Sequence, residues 1–286
     1  MRILLIGASG QVGKPLMASL REKHTVIGTG FSKTSANLTK LDIRDNDAVR
    51  TVFSDFLPDV AILLSALTDV DYCEDHQDEA YNINVTGTKN VAECAMSCGS
   101  RLIYFSTDYI FDGKNGPYKE DDVPNPISYY GFTKLGGEKM VQSVLDKKSW
   151  AIVRTAVVFS YGHRNFTTYL IDNLSRGEVV RAYTDQFNSP TYAPNLAEAV
   201  AEIAVKKLSG VYNVAGKDVI DRYSYALKVA KAFGLPANLI KPSTTAEFPQ
   251  KAKRPPRAGL IIKKAESILQ TALLTLNESI KQFKNA

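Results

Sequence analysis

Short, continuously apolar runs alternate with amphipathic segments in the first half of the chain, and this alternation constrains the fold more than any other feature. Runs that are apolar throughout are typical of strands buried on both faces. Strands separated by helices form right-handed crossovers and a parallel sheet covered on both sides. The sequence therefore predicts a doubly wound α/β fold. The runs are RILLI (2–6), HTVIG (24–28), DVAILLSA (59–66), RLIYFS (101–106) and WAIVRT (150–155).

A glycine-rich stretch, GASGQVG (7–13), follows the first run directly and opens the first helical segment. Glycine allows a sharp turn and lets a pyrophosphate approach the backbone, while the amino end of the helix attracts negative charge. In this position the stretch predicts a dinucleotide site of Rossmann type. Its predicted cofactor-binding residues are Gly7, Gly10, Gln11, Val12 and Gly13.

The second run ends in GTGFSK (28–33), where an NAD-preferring site usually carries an acidic residue for the ribose 2′-hydroxyl. No acidic residue stands there. Phe31, Ser32 and Lys33 are predicted to border the adenosine ribose, with Ser32 and Lys33 suited to a 2′-phosphate. We therefore expect NADP(H) to be preferred and leave NAD(H) open.

The regular alternation loosens after residue 160. YLIDNLSRG (169–177) and YSYALKVAKAFG (223–234) are typical of helices, and GVYNVAG (210–216) of a strand, while prolines cluster at 236–256. We expect residues 1–160 to form the NADP(H)-binding Rossmann domain. Residues 161–286 are expected to be a smaller, less regular and mainly substrate-binding region, with segments that return to the sheet.

Composition limits the function classes. Hydrophobic residues make up 44% of the chain and charged residues 23%, as in ordinary globular proteins. The net charge of +5 comes without a nucleic-acid-binding motif. Three cysteines do not suggest a disulfide framework, and no ligand set for a metal is apparent. With no membrane-length apolar run or signal-peptide core, we expect a cytoplasmic protein without nucleic-acid or membrane partners.

The stretch SYYGFTKLGGEK (128–139) contains Tyr130 and Lys134 at helical spacing, on one face of a predicted helix. Such a pair arises by chance roughly once in a chain of this composition, so context must support it. A lysine cation beside a phenol would lower its pKa and make the tyrosine a usable acid or base. Tyr129, one residue earlier, has Thr133 at the same spacing and no comparable charge.

The context comes from STDYIFDG (106–113), which brings Ser106, Thr107 and Asp108 to the carboxyl end of the fourth run. Open α/β sheets bind their ligands at this edge. Alternation along a strand allows only one of the first two hydroxyls to face the cofactor easily, and Thr107 is the predicted partner of Tyr130.

Together with DQFNSPT (185–191), these motifs resemble the extended short-chain dehydrogenase/reductases, and among them the dTDP-4-dehydrorhamnose reductase family. The resemblance runs from Gly7 to KRPPRAGL (253–260). The chain is equally similar to the regulatory β subunit of methionine adenosyltransferase, which belongs to the same family. DQFNSPT departs from the commoner form of the family, which has glycine where Asn188 or Ser189 stands.

The resemblance implies an oxidoreductase in which NADPH reduces the C4 ketone of a 4-keto-6-deoxy sugar nucleotide, converting dTDP-4-dehydrorhamnose to dTDP-L-rhamnose. Tyr130 would protonate the C4 oxygen, Lys134 would bind the nicotinamide ribose, and Thr107 would bind the substrate carbonyl. Further cofactor contacts are implied for Asp42, Ile43, Ser65, Ala66, Leu67 and Asn84, and substrate contacts for Asp108, Tyr109, Asn165 and Arg254.

Two alternatives stay open on the sequence: a non-catalytic, NADP-binding regulatory subunit of the methionine adenosyltransferase type, and another nucleotide-sugar epimerase or dehydratase. The lack of an acidic residue after the second run weighs against the epimerase reading. A homodimer is compatible with the sequence but not required by it.

Overall fold

A computed structural model describes residues 1–31 and 38–286. Ser32 and Lys33, two of the predicted cofactor residues, therefore lie outside the described residues. The strands are β1 (Arg2–Ile6), β2 (Thr25–Gly30), β3 (Leu38–Lys40), β4 (Val60–Leu63), β5 (Arg101–Thr107), β6 (Trp150–Thr155), β7 (Val158–Phe159), β8 (Val180–Tyr183), β9 (Phe187–Asn188), β10 (Thr191–Tyr192), β11 (Gly210–Asn213), β12 (Ile220–Asp221) and β13 (Ile240–Ser243).

The helices alternate with these strands in the first half and dominate the second. They are α1 (Gly13–Arg21), α2 (Asn46–Phe56), α3 (Val70–Asp75), α4 (Gln77–Tyr81), α5 (Thr88–Ser97), α6 (Tyr129–Val144), α7 (Phe166–Ser175), α8 (Ala193–Val205), α9 (Arg222–Phe233), α10 (Lys263–Ile268) and α11 (Leu276–Lys284). A π-helical turn covers Asn82–Gly87, and 3₁₀ turns cover Asp108–Ile110 and Ala237–Leu239.

Seven parallel strands form the main sheet in the order β11-β6-β5-β4-β1-β2-β3. The order reverses between β1 and β4, which places a crevice at their carboxyl ends. One apolar core packs under α1 and α8, and a second under α2, α5 and α6. Because both faces are covered, β4 and β6 are buried along their whole length, and the predicted doubly wound Rossmann fold is confirmed.

The carboxyl-terminal half builds a third apolar core between α7, α9 and α11, with aromatic contacts centred on Phe283. Two of its elements return to the first half: β11 joins the sheet beside β6, and α8 packs on α1. The predicted strand at 210–216 and the predicted helices at 169–177 and 223–234 correspond to β11, α7 and α9. The division at residue 160 stays a prediction.

The segment from 78 to 99 has apolar residues at helical spacing, but it does not form one regular α-helix. It begins as α4, widens into the π-helical turn at Asn82–Gly87, and continues as α5. The bonding pattern of a π-helix adds a residue to one turn and therefore leaves no clear trace in apolar periodicity. No described helix has the length and apolar character that a membrane crossing needs.

A buried ion pair joins the sheet to α6. Arg154, near the end of β6, donates from Nε and Nη2 to the Glu138 carboxylate at 2.9 and 2.8 Å, and from Nη1 to the Glu120 carbonyl at 2.9 Å. Both charged side chains are at most 5% exposed. The paired hydrogen bonds set the rotation of α6 against the sheet.

Replacement of Arg154 by methionine is expected to lower the free energy of unfolding by about 3–5 kcal/mol, because Glu138 would remain buried without its partner. Urea denaturation measures the effect. The matched control is Arg176→Met, which removes an exposed partner of Glu178 and should leave the midpoint unchanged. An unchanged midpoint for Arg154→Met would mean that the buried pair does not contribute to the free energy of unfolding.

Candidate active site

Two adjoining cavities open at the carboxyl ends of β1, β4 and β5. The larger, of about 490 Å³, extends from the glycine loop to Tyr130, and the smaller, of about 350 Å³, extends from that loop toward Phe31. Predicted residues that line the larger cavity are Gly7, Gly10, Gln11, Val12, Gly13, Ala66, Thr107, Asp108, Tyr109, Tyr130 and Lys134. Those that line the smaller cavity are Gly7, Gly10, Phe31, Asp42, Ile43, Ser65, Ala66 and Leu67.

The glycine loop has the geometry of a phosphate cradle. Gly7 has a φ of +95°, and a Cβ at this position would lie 2.7 Å from the backbone nitrogen of Ser65. A side chain would therefore be strained and would collide with the neighbouring strand end. The bare backbone faces both cavities, as the approach of a pyrophosphate requires.

Arg44 lies at the adenosine end and was not singled out from the sequence. Its guanidinium lies 5.5 Å from the ring centroid of Phe31 and donates to both carboxylate oxygens of Asp42. These hydrogen bonds from Arg44 lower the pKa of Asp42. Its position within LDIRD, two residues after Asp42, is the feature of the sequence from which Arg44 could have been predicted as a cofactor contact. An arginine here suits a 2′-phosphate, because its side chain is 37% exposed and has room to exchange Asp42 for that ligand.

A close backbone approach brings Tyr130 beside Thr107. α6 begins after Ser128, whose Oγ accepts a hydrogen bond from the Gly131 nitrogen at 3.2 Å. A Cβ at Gly131 would lie 2.1 Å from the Tyr109 carbonyl oxygen, so only glycine lets the first turn of α6 pack against the end of β5. The phenol of Tyr130 and the hydroxyl of Thr107 consequently meet in the larger cavity.

Burial dominates the electrostatics of the Tyr130–Lys134 pair. Lys134 is 3% exposed, its Nζ lies 4.2 Å from the ring centroid of Tyr104, and burial lowers its pKa to about 7. Burial raises the pKa of Tyr130, against a smaller lowering by a hydrogen bond to Thr107. The expected net lowering of the phenol pKa by Lys134 is therefore wrong, because desolvation outweighs a lysine that is only partly charged at neutral pH.

Asp108 is buried at the wall of the same cavity. Its carboxylate accepts hydrogen bonds from Asn188 Nδ2 at 2.8 Å and from the Thr107 hydroxyl at 3.0 Å. Burial raises the Asp108 pKa to about 6, although both hydrogen bonds oppose the shift. Asn188, within DQFNSPT, thus has a definite role in holding Asp108 and, through it, Thr107.

Three predicted residues line neither cavity, and their hydrogen bonds explain why. Asn84 bonds both backbone polar atoms of Leu67 and the Thr133 hydroxyl, so it supports the loop behind the site. Asn165 caps α7 and donates to the Gln11 side chain. Both amides are hydrogen-bonded within the protein, and their contact with cofactor or substrate stays a prediction.

Arg254 is the third of these residues. Its two terminal nitrogens donate to the Asp71 carboxylate at 3.0 Å each, and Nη1 also reaches the Ala252 carbonyl. Asp71 also accepts from the backbone nitrogen of Ala252. In the structure Arg254 is paired with a carboxylate on α3, and the sequence-based expectation that it meets the substrate stays a prediction.

Several lining residues escaped the sequence reasoning. The hydroxyls of Ser106 and Thr155 are buried at the larger cavity and have no hydrogen-bond partner among the described residues. Val157 has a φ of +43°, a strained value for a β-branched residue. Buried polar atoms normally have partners, so two orphaned hydroxyls indicate a site for a polar ligand group. Strand alternation predicts that only one of the Ser106 and Thr107 hydroxyls faces the cofactor easily, yet both residues line the cavity.

The glycine cradle and the orphaned hydroxyls fit a dinucleotide, with Lys134 beside them. The Asp42–Arg44 pair would border its adenosine. No trio of histidine, cysteine or carboxylate side chains able to hold a metal ion occurs within 1–31 and 38–286.

Comparison with known proteins agrees with this geometry. Residues 1–286 match the family described as the RmlD substrate binding domain. The chain belongs to this family. The resemblance inferred from the sequence motifs is thereby confirmed.

Two relatives and one solved structure illustrate the RmlD family's range. A dTDP-4-dehydrorhamnose reductase of Aggregatibacter actinomycetemcomitans is 32% identical over 279 residues, covering 93% of this chain and 92% of that protein. The methionine adenosyltransferase 2 subunit beta of Bos taurus is 30% identical over 279 residues, covering 93% and 82%. The crystal structure of dTDP-4-dehydrorhamnose reductase from Bacillus anthracis, in complex with NADP, superposes with a TM-score of 0.91 at 29% identity, covering 99% and 98%.

The lowered pKa of Lys134 predicts a pH-dependent stability. Its folded-state pKa of about 7 lies below its ordinary value of 10.5, so between these values the unfolded chain binds a proton that the folded protein does not. The free energy of unfolding should therefore rise by about 2 kcal/mol more between pH 7 and pH 9 in the wild type than in Lys134→Met. Urea denaturation at several pH values tests this difference. Parallel profiles for the two proteins would contradict a lowered lysine pKa.

Proposed function

We propose that the protein is an NADPH-dependent oxidoreductase that reduces the C4 ketone of a 4-keto-6-deoxy sugar nucleotide, with dTDP-4-dehydrorhamnose as substrate and dTDP-L-rhamnose as product. The observation that carries the proposal is the convergence of Tyr130, Thr107 and Lys134 on one cavity that begins at the glycine loop. The similarity to dTDP-4-dehydrorhamnose reductases over nearly the whole chain supports the same reaction.

Tyr130 is suited to be the proton donor. A general acid must be protonated before the reaction, and burial raises the pKa of this phenol, so it holds its proton at neutral pH. NADPH, when bound, would supply the hydride to C4. The proton of the Tyr130 hydroxyl would then pass to the C4 oxygen, and the alcohol would form.

Two further residues prepare that transfer. The Thr107 hydroxyl lies between Tyr130 and Asp108, so it would orient the ketone toward the phenol. As negative charge develops on Tyr130, the protonated form of Lys134 would stabilise the phenolate until a proton from solvent restores the phenol. The lysine effect predicted from the sequence would thus operate during the reaction instead of in the resting site.

The cofactor preference rests on the adenosine end. Lys33 and Ser32 were predicted from the sequence to meet a 2′-phosphate, and Arg44 adds a guanidinium beside Phe31. A related reductase carries NADP in its crystal structure. We therefore propose NADP(H) as the preferred cofactor, with NAD(H) as a weaker substitute.

A second candidate is a non-catalytic, NADP-binding regulatory subunit. It is favoured by the similarity to the methionine adenosyltransferase 2 subunit beta, which covers 93% of this chain. Retention of Tyr130 and Lys134 does not by itself exclude this role. Turnover of a keto sugar nucleotide distinguishes the candidates, and co-purification with a methionine adenosyltransferase would support the second.

The wild-type protein should oxidise NADPH in the presence of dTDP-4-dehydrorhamnose, as followed by absorbance at the reduced nicotinamide band. Tyr130→Phe should lower kcat by about 10²–10⁴-fold, because the general acid is lost. Tyr129→Phe is the matched control and should retain the rate, since its ring packs against Phe132 outside the cavity. Absence of turnover by the wild type would overturn the assignment, and equal losses in both variants would overturn the role of Tyr130.

Cofactor preference should appear as a lower KM for NADPH than for NADH. Arg44→Gln should raise the KM for NADPH about tenfold and leave the KM for NADH nearly unchanged, because only NADPH carries the phosphate. Steady-state kinetics with each cofactor measure both effects. A lower KM for NADH in the wild type, or equal effects of the variant on the two cofactors, would contradict the proposal.

A further inference from the structure

Arg222 is a cation at the larger cavity that the sequence reasoning did not identify. It is the first residue of α9, and its guanidinium carbon lies 5.1 Å from the ring centroid of Phe166. Within residues 1–31 and 38–286, no carboxylate lies within salt-bridge distance of its guanidinium, and no hydrogen bond engages it. A half-buried arginine without a fixed acceptor retains its N–H groups for a ligand.

The backbone around Arg222 is firmly placed. β12 pairs antiparallel with β9, setting Asp221 opposite Phe187 and Ile220 opposite Asn188. The Asp221 carboxylate caps α9 by accepting from the Ser224 nitrogen at 2.8 Å. Arg222 therefore follows a paired strand and a capped helix start, so its backbone needs no rearrangement when the side chain binds a ligand.

The position also links Arg222 to the proposed chemistry. Asn188, on the strand paired with β12, donates to Asp108, which in turn accepts from Thr107. The charge of Arg222 is near enough to Asp108 and Tyr109 to oppose the increase in pKa that burial causes in each side chain. The guanidinium thus lies on the Asp108–Tyr109 side of the cavity, on a carboxyl-terminal element separate from the glycine loop.

The other expected anion-binding residue is already occupied. Arg254 pairs through two nitrogens with Asp71 and lines neither cavity. Among the described residues, Lys134 is the other cation that lines the larger cavity, but it is 3% exposed and its Nζ lies over the Tyr104 ring. Of the arginines in the described part of the chain, Arg222 alone lines the larger cavity.

We propose that Arg222, and not Arg254, binds the diphosphate of the sugar-nucleotide substrate. The inference rests on the proposed function, because it assumes that the ligand on this side carries a diphosphate. A planar guanidinium stacked on Phe166 keeps its edge free to donate two parallel hydrogen bonds to phosphate oxygens. Its binding would hold the substrate while the sugar reaches Thr107 and Tyr130.

The test measures dTDP binding by calorimetry to protein saturated with NADP⁺, so that the cofactor's own diphosphate site is filled. Arg222→Gln should weaken dTDP binding at least about tenfold, because a charge-assisted contact is lost. Arg222→Lys should retain part of the affinity. The matched control is Arg181→Gln, which removes an exposed arginine stacked on Phe248 away from the cavities and should bind dTDP as the wild type does.

Steady-state kinetics with the sugar nucleotide give an independent readout. Arg222→Gln should raise the KM for the sugar nucleotide at least about tenfold, change kcat little, and leave the KM for NADPH unchanged. Thermal melting confirms that the variants are folded.

Three results would overturn the inference: wild-type dTDP affinity in Arg222→Gln, a loss confined to Arg254→Gln, or a loss of NADP⁺ affinity in place of dTDP affinity. Failure of the proposed reaction is separable from failure of this inference. A wild type that binds dTDP through Arg222 without turning over the keto sugar would refute the reductase and retain the site. A wild type that reduces the keto sugar at a rate and KM independent of Arg222 would support the reductase and refute the Arg222 site.

Discussion

The buried ion pair between Arg154 and Glu138 is the interaction on which the arrangement of the site depends. It joins the end of β6 to the middle of α6 and also ties the Glu120 loop to the sheet. Removing either charge would leave the other without solvent and without a partner. The pair therefore allows few rotations of α6, and that rotation directs Tyr130 and Lys134 toward the crevice instead of toward the apolar core.

Desolvation is the second constraint, and it acts on Tyr130, Asp108 and Lys134 in the direction of neutrality. Burial raises the pKa values of Tyr130 and Asp108 and lowers that of Lys134. A neutral phenol and a partly neutral lysine form a resting site that can give a proton and then receive a charge. Lys134 would then exert its full electrostatic effect only as negative charge develops in the site during the reaction.

The carboxyl-terminal half contributes positioning more than chemistry. Asn165 connects α7 to Gln11 of the glycine loop, and Asn188 connects β9 to Asp108. Arg254 connects the segment after β13 to α3 through Asp71. These long-range bonds show that Asn165 and Arg254, which resemble ligand contacts in the sequence, each bond another part of the protein.

Much of the fold and the centre of the site could be predicted from the sequence because each depends on local rules. Continuous apolar runs specify buried strands, Gly7 specifies a turn that other residues cannot adopt, and helical spacing places Tyr130 and Lys134 on one face. The intramolecular hydrogen bonds of Asn84 and Asn165 could not be predicted, because an amide can serve a backbone group as readily as a ligand. Arg44 and Arg222 were missed because a single arginine has no local pattern.

The sequence by itself determined the doubly wound sheet, the dinucleotide loop and the spacing of the proposed proton donor from its lysine, since these follow from periodicity and backbone conformation. Only the tertiary structure decided the sign of the Tyr130 pKa shift, because that sign depends on how much water the surrounding elements exclude. It also decided which arginine has a carboxylate partner within the protein and which has a guanidinium available to a ligand. Asp71, 183 residues away in the chain, takes Arg254, and the β9–β12 pairing presents Arg222 to the cavity.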